Sequence, residues 1–326
     1  MCLNFIIFVI TILYLLNDHV NSSPSPPLSS SKRPIYNIAH MVNSIGQIDT
    51  YLDRGANAIE SDVQFLSDGT PVYLFHGFPC DCFRDCTKWS SFDMFIQYVH
   101  NITTPKSKNY RERFVLLLLD LKLQGLSSEA KRTAGNKMFT LLLRNLLNGS
   151  TKQPDTRVKV VLSIQRYTDE SFIDGFTSAM SKHSMDHLNE FIGWDISGNE
   201  PLDSIVSVFK RQTIQNVWQS DGITNCISFV NPFDRLLAAI GLRDQKDRPL
   251  VKKVYHWTID LHFSLRNSLR TGIDGIITNY PERLVTVLDE SEFFTDMRLA
   301  QYKDNPWIRY KQITAIDSND NTITRL

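Results

Sequence analysis

The sequence has no surplus of either charge: 35 Lys and Arg balance 35 Asp and Glu, for a formal net charge of zero. That balance points away from nucleic acid and from a polybasic membrane-binding face. There is no glycine-rich phosphate loop and no G-x-S-x-G elbow, which argues against P-loop nucleotide chemistry and serine-hydrolase chemistry. No internal repeat, long linker or composition break divides the chain. Beyond the N-terminus no stretch is long and apolar enough to span a bilayer. Cysteine is scarce, five in 326 residues, so no disulfide-dense miniature scaffold is expected.

What is present begins with Leu3 to Leu16, a continuous apolar run followed by polar and proline-rich residues. It is short for a membrane span and suits a secretory signal peptide, although no basic residue precedes it; an uncleaved anchor is the alternative. The expected organisation is a signal peptide at 1–23, a short polar leader at 24–32, one domain at 33–307 and a tail at 308–326. Secretion gives the remaining Cys80, Cys82, Cys86 and Cys226 an oxidising compartment, which favours two disulfides. Zinc is the competitor, but the Cys-x-Cys-x-x-x-Cys spacing is not a usual zinc pattern. A local Cys80–Cys86 loop with a Cys82–Cys226 link is preferred, because an extended Cys80–Cys82 pair would point to opposite sides. Sequence alone leaves three pairings open. Sequons stand at Asn21, Asn101 and Asn148, the last two being candidate surface glycosylation sites.

The stretch Ala58 to Phe65 organises the rest. Its two charged residues, Glu60 and Asp62, sit two apart in a largely apolar run, and a strand places them on one face. Two carboxylates side by side repel and need a cation or a shared proton. Around them, predicted strands alternate with helical stretches: strands at 34–39, 57–65, 114–121, 158–164, 191–195, 214–218, 251–259 and 273–278. A Ser67-Asp68-Gly69-Thr70 turn adds a hairpin arm at 72–75. This alternation predicts a single-domain (β/α)8 barrel, with an open doubly wound sheet as runner-up.

In such a barrel the chemistry gathers at the carboxyl ends of the strands. Those ends carry His40, then Glu60 and Asp62, His76 on the hairpin arm, Asp120 with Lys122, Tyr255 with Trp257 and Asp260, and Asn279. Singly, each has a plain structural explanation: a strand-end Asp caps a helix, and a lone Trp is core. Their coincidence at successive strand ends is what points to a site. Glu60, Asp62 and Asp120 suit one Mg²⁺ completed by water. His40 and His76 suit acid–base work near neutral pH. Lys122 adds positive charge for an anion. Together they describe phosphodiester chemistry.

The segments IAHMVNSIGQIDTYLDRGANAIESDVQF and PVYLFHGFPCDC, followed in order by LLLLDLK, VWQSDGITNC, KVYHWTID, GIDGIITNYP and DNPW, resemble the arachnid phospholipase D toxins. These are also called sphingomyelinases D or dermonecrotic toxins, and they sit within the glycerophosphodiester phosphodiesterase-like barrels. The resemblance runs from about Arg33 to Trp307. It implies the barrel, one Mg²⁺ on Glu60, Asp62 and Asp120, and catalysis by His40 and His76. It further implies substrate contacts from Lys122, Tyr255, Trp257 and Asn279, support from Asp81 and Asp260, and the bridges Cys80–Cys86 and Cys82–Cys226. The implied reaction releases the head group of sphingomyelin or a lysophospholipid, the lipid's own hydroxyl attacking phosphorus to give a cyclic phosphate, with His40 as base and His76 as acid. The expected partners are choline- or ethanolamine-containing lipids met at a membrane surface by a monomer, and no nucleic acid. The alternatives are a glycerophosphodiester phosphodiesterase that uses water and a catalytically silent secreted binding protein.

Overall fold

Strand β1 spans Arg33–Ala39 and β2 spans Ala58–Phe65, and they pair in parallel across the closure of the sheet. The computed structural model describes residues 32–148 and 153–310; the expected signal peptide, nearly all of the polar leader, and the tail from residue 311 lie outside them. The other strands are β3 (Pro71–Leu74), β4 (Ser90–Ser91), β5 (Leu116–Lys122), β6 (Lys159–Ile164), β7 (Ile192–Ile196), β8 (Val217–Gly222), β9 (Val251–Trp257), β10 (Gly275–Thr278) and β11 (Met297–Leu299). Their order is β11-β1-β10-β9-β8-β7-β6-β5-β2-β3-β4, and the β1–β2 pairing shuts the eight parallel strands into a barrel. This is the (β/α)8 architecture that the alternation predicts. The described residues from Arg33 onward form one compact unit.

The strands are apolar on both faces because both are covered. In β5, Leu117, Leu119 and Leu121 pack outward among the helices, while Leu116 and Leu118 join the barrel interior. The helices earn their places by one apolar stripe each. Helix Leu202–Arg211 buries Ile205, Val208 and Phe209 at helical spacing. The long helix Ser128–Asn145 starts where Ser127 caps it, its hydroxyl accepting the Ala130 N–H.

The β2–β3 arm is an antiparallel hairpin, Val63 facing Leu74, as the turn at 67–70 predicts. One strand is displaced. The sequence predicts 214–218, whereas β8 runs Val217–Gly222. Its second half is buried and polar, so the apolar run ends before the strand does: Ser220 bonds Asp195, and Asp221 is paired with Arg235 at 3.0 Å.

The amino-terminal end of the barrel is sealed by the chain after β11. Trp218 and Trp307 lie in the interior cluster with Tyr36 and Tyr255. The Trp218 indole N–H donates to the Pro306 carbonyl at 3.1 Å, and that of Trp307 to Glu190 at 2.8 Å. Gly193 faces Trp307, where an added Cβ would lie 2.2 Å from the indole. The DNPW motif is therefore the plug of the barrel, and the opposite, carboxyl-terminal end is left open for chemistry.

Candidate active site

The site follows from strand register. In β2 the residues Ile59 and Val63 face outward and Ala58 faces inward, so Glu60 and Asp62 also point into the barrel. The parallel register sets Asp62 directly beside Asp120 of β5. The three carboxylates offer oxygens within 4.8 Å of one another.

Each is held differently. Glu60 Oε2 accepts the Met41 N–H at 2.8 Å, and Asp62 Oδ2 accepts the Asn43 side-chain amide at 2.7 Å. Lys122 Nζ lies 2.7 Å from Asp62 Oδ1 and 2.5 Å from Asp120 Oδ2. Asp120 Oδ1 is buried with no hydrogen-bond partner. One ammonium does not balance three carboxylates. Burial, then the charge of Asp62, pushes Glu60 up to about 8. Burial acts against Asp62 too, but Lys122 and His76 hold it below its ordinary value. An orphaned carboxylate oxygen and a carboxyl driven toward protonation are the marks of a set that fits a hard cation.

His40 follows β1. Its Nδ1 lies 3.1 Å from Asp81 Oδ2 and 3.3 Å from Asn279 Oδ1, and its Nε2 lies 4.0 Å from Glu60 Oε2. Burial opposes its charge, but the Asp81 hydrogen bond and then Glu60 outweigh that and push it up to about 9. Asp81 in turn is held well below the carboxylate range, the His40 contact overcoming burial. His76 follows the hairpin arm, its Nδ1 2.7 Å from the Gly77 carbonyl, which makes Nδ1 the protonated nitrogen.

His40, His76, Lys122 and the three carboxylates line one cavity of about 390 Å³, together with Tyr255 and Trp257. Asn279 lies outside its lining. It sits behind His40, donating to Asp81 at 3.1 Å and to Asp260 at 3.0 Å. Asp260 also accepts the Asn279 N–H and the Asn225 amide. Tyr255 donates to the buried Asp195 at 2.8 Å. Burial raises Asp195 to about 6.

The far wall of the cavity was not foreseen: Ser163 near the end of β6, with Gln165, Arg166, Ser197, Gly198 and Glu200 from the loops after β6 and β7. Their only signal was position at or just after the ends of predicted strands. Asp195, inside an apolar strand, was a signal of the Glu60 kind. Arg84 was also missed. It donates to the His40 and Met41 carbonyls at 2.8 and 3.1 Å and stacks on Tyr51. Met41 stands at a φ of 49°, in the left-handed region, so its backbone is held from both sides.

The disulfides are Cys80–Cys86 and Cys82–Cys226, the preferred pairing, and they hang the loops after β3 and β8 beside His76 and Asp81. No helix among the described residues is long and apolar enough to cross a membrane.

Barrel, carboxylate set and paired histidines define a phosphodiesterase-like (β/α)8 enzyme. A solved structure from Silicibacter pomeroyi DSS-3, provisionally designated a glycerophosphoryl diester phosphodiesterase, shares the fold. Its TM-score is 0.53 at 15% identity, over 83% of this chain and 96% of that one. The Dermonecrotic toxin SPH family matches residues 30–307, and the chain belongs to that family, the arachnid phospholipase D toxins that its motifs resemble. Dermonecrotic toxin LlSicTox-betaIA1 of Loxosceles laeta is 43% identical over 282 residues, covering 86% of this chain and 91% of the relative. Dermonecrotic toxin StSicTox-betaIB1i of Sicarius terrosus is 44% identical over 281 residues, 85% and 99%. Dermonecrotic toxin Hl-PLD1 of Hemiscorpius lepturus is 43% identical over 291 residues, 88% of each.

Proposed function

We propose that the protein is a secreted, Mg²⁺-dependent phospholipase D-type lyase. It cleaves the head group from sphingomyelin-like lipids and lysophospholipids and leaves a cyclic phosphate. The observation that carries this reading is the convergence of Glu60, Asp62, Asp120, Lys122, His40 and His76 on one cavity, with Asp120 Oδ1 unpartnered.

Glu60, Asp62 and Asp120 would hold the ion, which when bound draws charge from the phosphoryl oxygens. Lys122 adds a second positive charge beside them. Asp81 holds the Nδ1 proton of His40, so in the fraction of His40 that is neutral the Nε2 lone pair faces the cavity and takes the proton of the lipid hydroxyl as its oxygen bonds to phosphorus. His76 is the acid. In its cationic form Nδ1–H stays on the Gly77 carbonyl while Nε2–H protonates the leaving head-group oxygen as its bond to phosphorus breaks. The attack is intramolecular, which gains the effective concentration of a tethered nucleophile. Trp257 and Tyr255 form the aromatic side of the substrate cavity. Two disulfides and the signal-like N-terminus support secretion.

Phosphorus NMR tests the reading on sphingomyelin and lysophosphatidylcholine, with Mg²⁺ and with EDTA. A metal-dependent cyclic phosphate signal is expected, and its loss in His40→Ala and in Asp120→Ala with folded circular dichroism. A linear phosphate product would move the protein to the water-using relatives. No product from any choline or ethanolamine lipid would leave the silent binding protein.

A further inference from the structure

The cavity has two unlike walls. His40, His76 and the metal-type carboxylates come from β1, β2, β3 and β5. The opposite wall comes from the loops after β6 and β7 and is polar throughout, with Glu200 its acid.

Glu200 is fixed from both ends. Its backbone carbonyl accepts from Arg235 Nη2 at 2.9 Å, and its Oε2 accepts the Tyr167 N–H. The two loops close tightly: Ser197 N–H donates to the Ile164 carbonyl at 3.0 Å. A Cβ on Gly198 would fall 2.0 Å from the Gln165 carbonyl, so only glycine lets the loops meet there. No ion pair reaches the Glu200 carboxylate among the described residues. Arg166 lines the same wall but is exposed, while Glu200 is half-buried. A half-buried charge is less screened than an exposed one, so on this wall the Glu200 carboxylate is screened less than the Arg166 guanidinium.

We infer that Glu200 is the specificity residue of a leaving-group subsite on this wall, and that it recognises the positive charge of an ammonium head group. This rests on the phosphodiesterase reading above. Displacement at phosphorus puts the attacking and leaving oxygens roughly in line, so the head group and the lipid body extend in different directions. An acyl chain would be desolvated against charged side chains on the β6–β7 wall. The exposed apolar side chains Phe78, Phe83 and Ile227 instead stand on the loops after β3 and β8. The polar head group therefore belongs to the Glu200 side. A carboxylate there attracts choline by charge, and ethanolamine by charge and by accepting its N–H.

The test compares wild type with Glu200→Gln, an isosteric change whose amide oxygen still accepts the Tyr167 N–H. The readout is kcat/KM on lysophosphatidylcholine, lysophosphatidylethanolamine and lysophosphatidylglycerol. The ratio of either ammonium lipid to the neutral glycerol lipid is expected to fall about tenfold. An equal fall for both ammonium lipids marks recognition of charge; a larger one for ethanolamine marks N–H donation as well. An unchanged ratio overturns the inference. Saturation-transfer NMR with free choline, free ethanolamine and glycerol gives the second readout. A signal for the two ammonium compounds that Glu200→Gln weakens supports the subsite, and equal signals from both proteins refute it. If the wild type cleaves no lipid, the phosphodiesterase reading fails, and the NMR result still decides the subsite by itself.

Discussion

His40 Nδ1 and Asp81 Oδ2 lie 3.1 Å apart, and Asp81 belongs to the disulfide loop rather than to any strand. The carboxylate fixes the tautomer of the imidazole and raises its basicity from behind. In Asp81→Asn the charge is gone while a hydrogen bond can remain. The acid limb of the kcat/KM profile is expected to move down by about one pH unit. With His40 as the proposed base, kcat should drop on the order of ten- to a hundredfold, because the imidazole is less basic and its tautomer is no longer fixed. A pH–rate profile that overlays the wild type would remove Asp81 from this role.

Glu60 makes stability depend on pH in a direction that a cation should cancel. Its folded value of about 8 stands above the unfolded 4.5, so between them the folded state binds more protons and stability falls as pH rises. His40 acts in the same sense, its contribution present below about 6.5 and lost as pH rises through about 9. In EDTA the Tm should therefore decline from pH 5 to pH 8. Mg²⁺ should raise Tm more at pH 8 than at pH 5, since it binds the ionised set. A shift equal at both pH values, or a decline retained unaltered in Glu60→Gln, would mean that these carboxylates are not the cation site.

Arg84 ties the disulfide loop to the loop after β1, donating to the His40 and Met41 carbonyls from one guanidinium nitrogen. Lysine keeps the charge but loses the planar fork and the stacking on Tyr51. Arg84→Lys is expected to cost about 1–2 kcal/mol of stability. It should also lower kcat/KM about tenfold, because Met41 then presents its N–H to Glu60 less firmly. Denaturant unfolding and steady-state kinetics on the same preparation check both. Wild-type values for both would show that the loop is held without it.

Some of this was legible in the sequence and some was hidden, for physical reasons. Glu60, Asp62, Asp120 and Lys122 were readable because a period of two survives any parallel register. A lone carboxylate there would have had a plain structural reading, but their coincidence at successive strand ends did not. The barrel was readable from the alternation of strands with helical stretches. β8 was misplaced because Gln219, Ser220 and Asp221 are buried yet polar, compensated by partners remote in sequence. Glu200 and Arg166 lie on loops, where no periodicity marks a direction. Asn279 was expected in the pocket, and its position behind His40 depends on Asp81 and Asp260, which only the folded chain brings to it.

The two disulfides close very different lengths of chain, with separations of 6 and 144 residues. The chain-entropy model gives about 2 kcal/mol for the short loop and about 5 kcal/mol for the long one. Cys82→Ser with Cys226→Ser should therefore lower stability more than Cys80→Ser with Cys86→Ser. The short-loop pair should lose more activity, since its loop carries Asp81 and Arg84. Paired unfolding curves and kinetics would show the crossover. The reverse ranking in both would refute the division of roles.

Gly193 and Trp307 meet at the base of the barrel, where an added Cβ would lie 2.2 Å from the indole. The indole cannot swing away freely, because its N–H is held by the Glu190 carbonyl and the ring lies within the interior cluster. Gly193→Ala should therefore cost about 1–3 kcal/mol or more, as overpacking does. Trp307→Leu removes ring volume and its hydrogen bond, and should cost about 3 kcal/mol. The two changes relieve each other, since the smaller side chain makes room for the methyl group. The double variant should be less destabilised than the sum of the singles by about 1 kcal/mol or more. Strict additivity in urea unfolding would mean that the contact is not what holds the DNPW plug. Because the plug lies at the end of the barrel opposite the metal-type carboxylates, activity per folded molecule should stay near wild type in all three variants. A loss of kcat matching the loss of stability would instead show the base of the barrel coupled to the catalytic end.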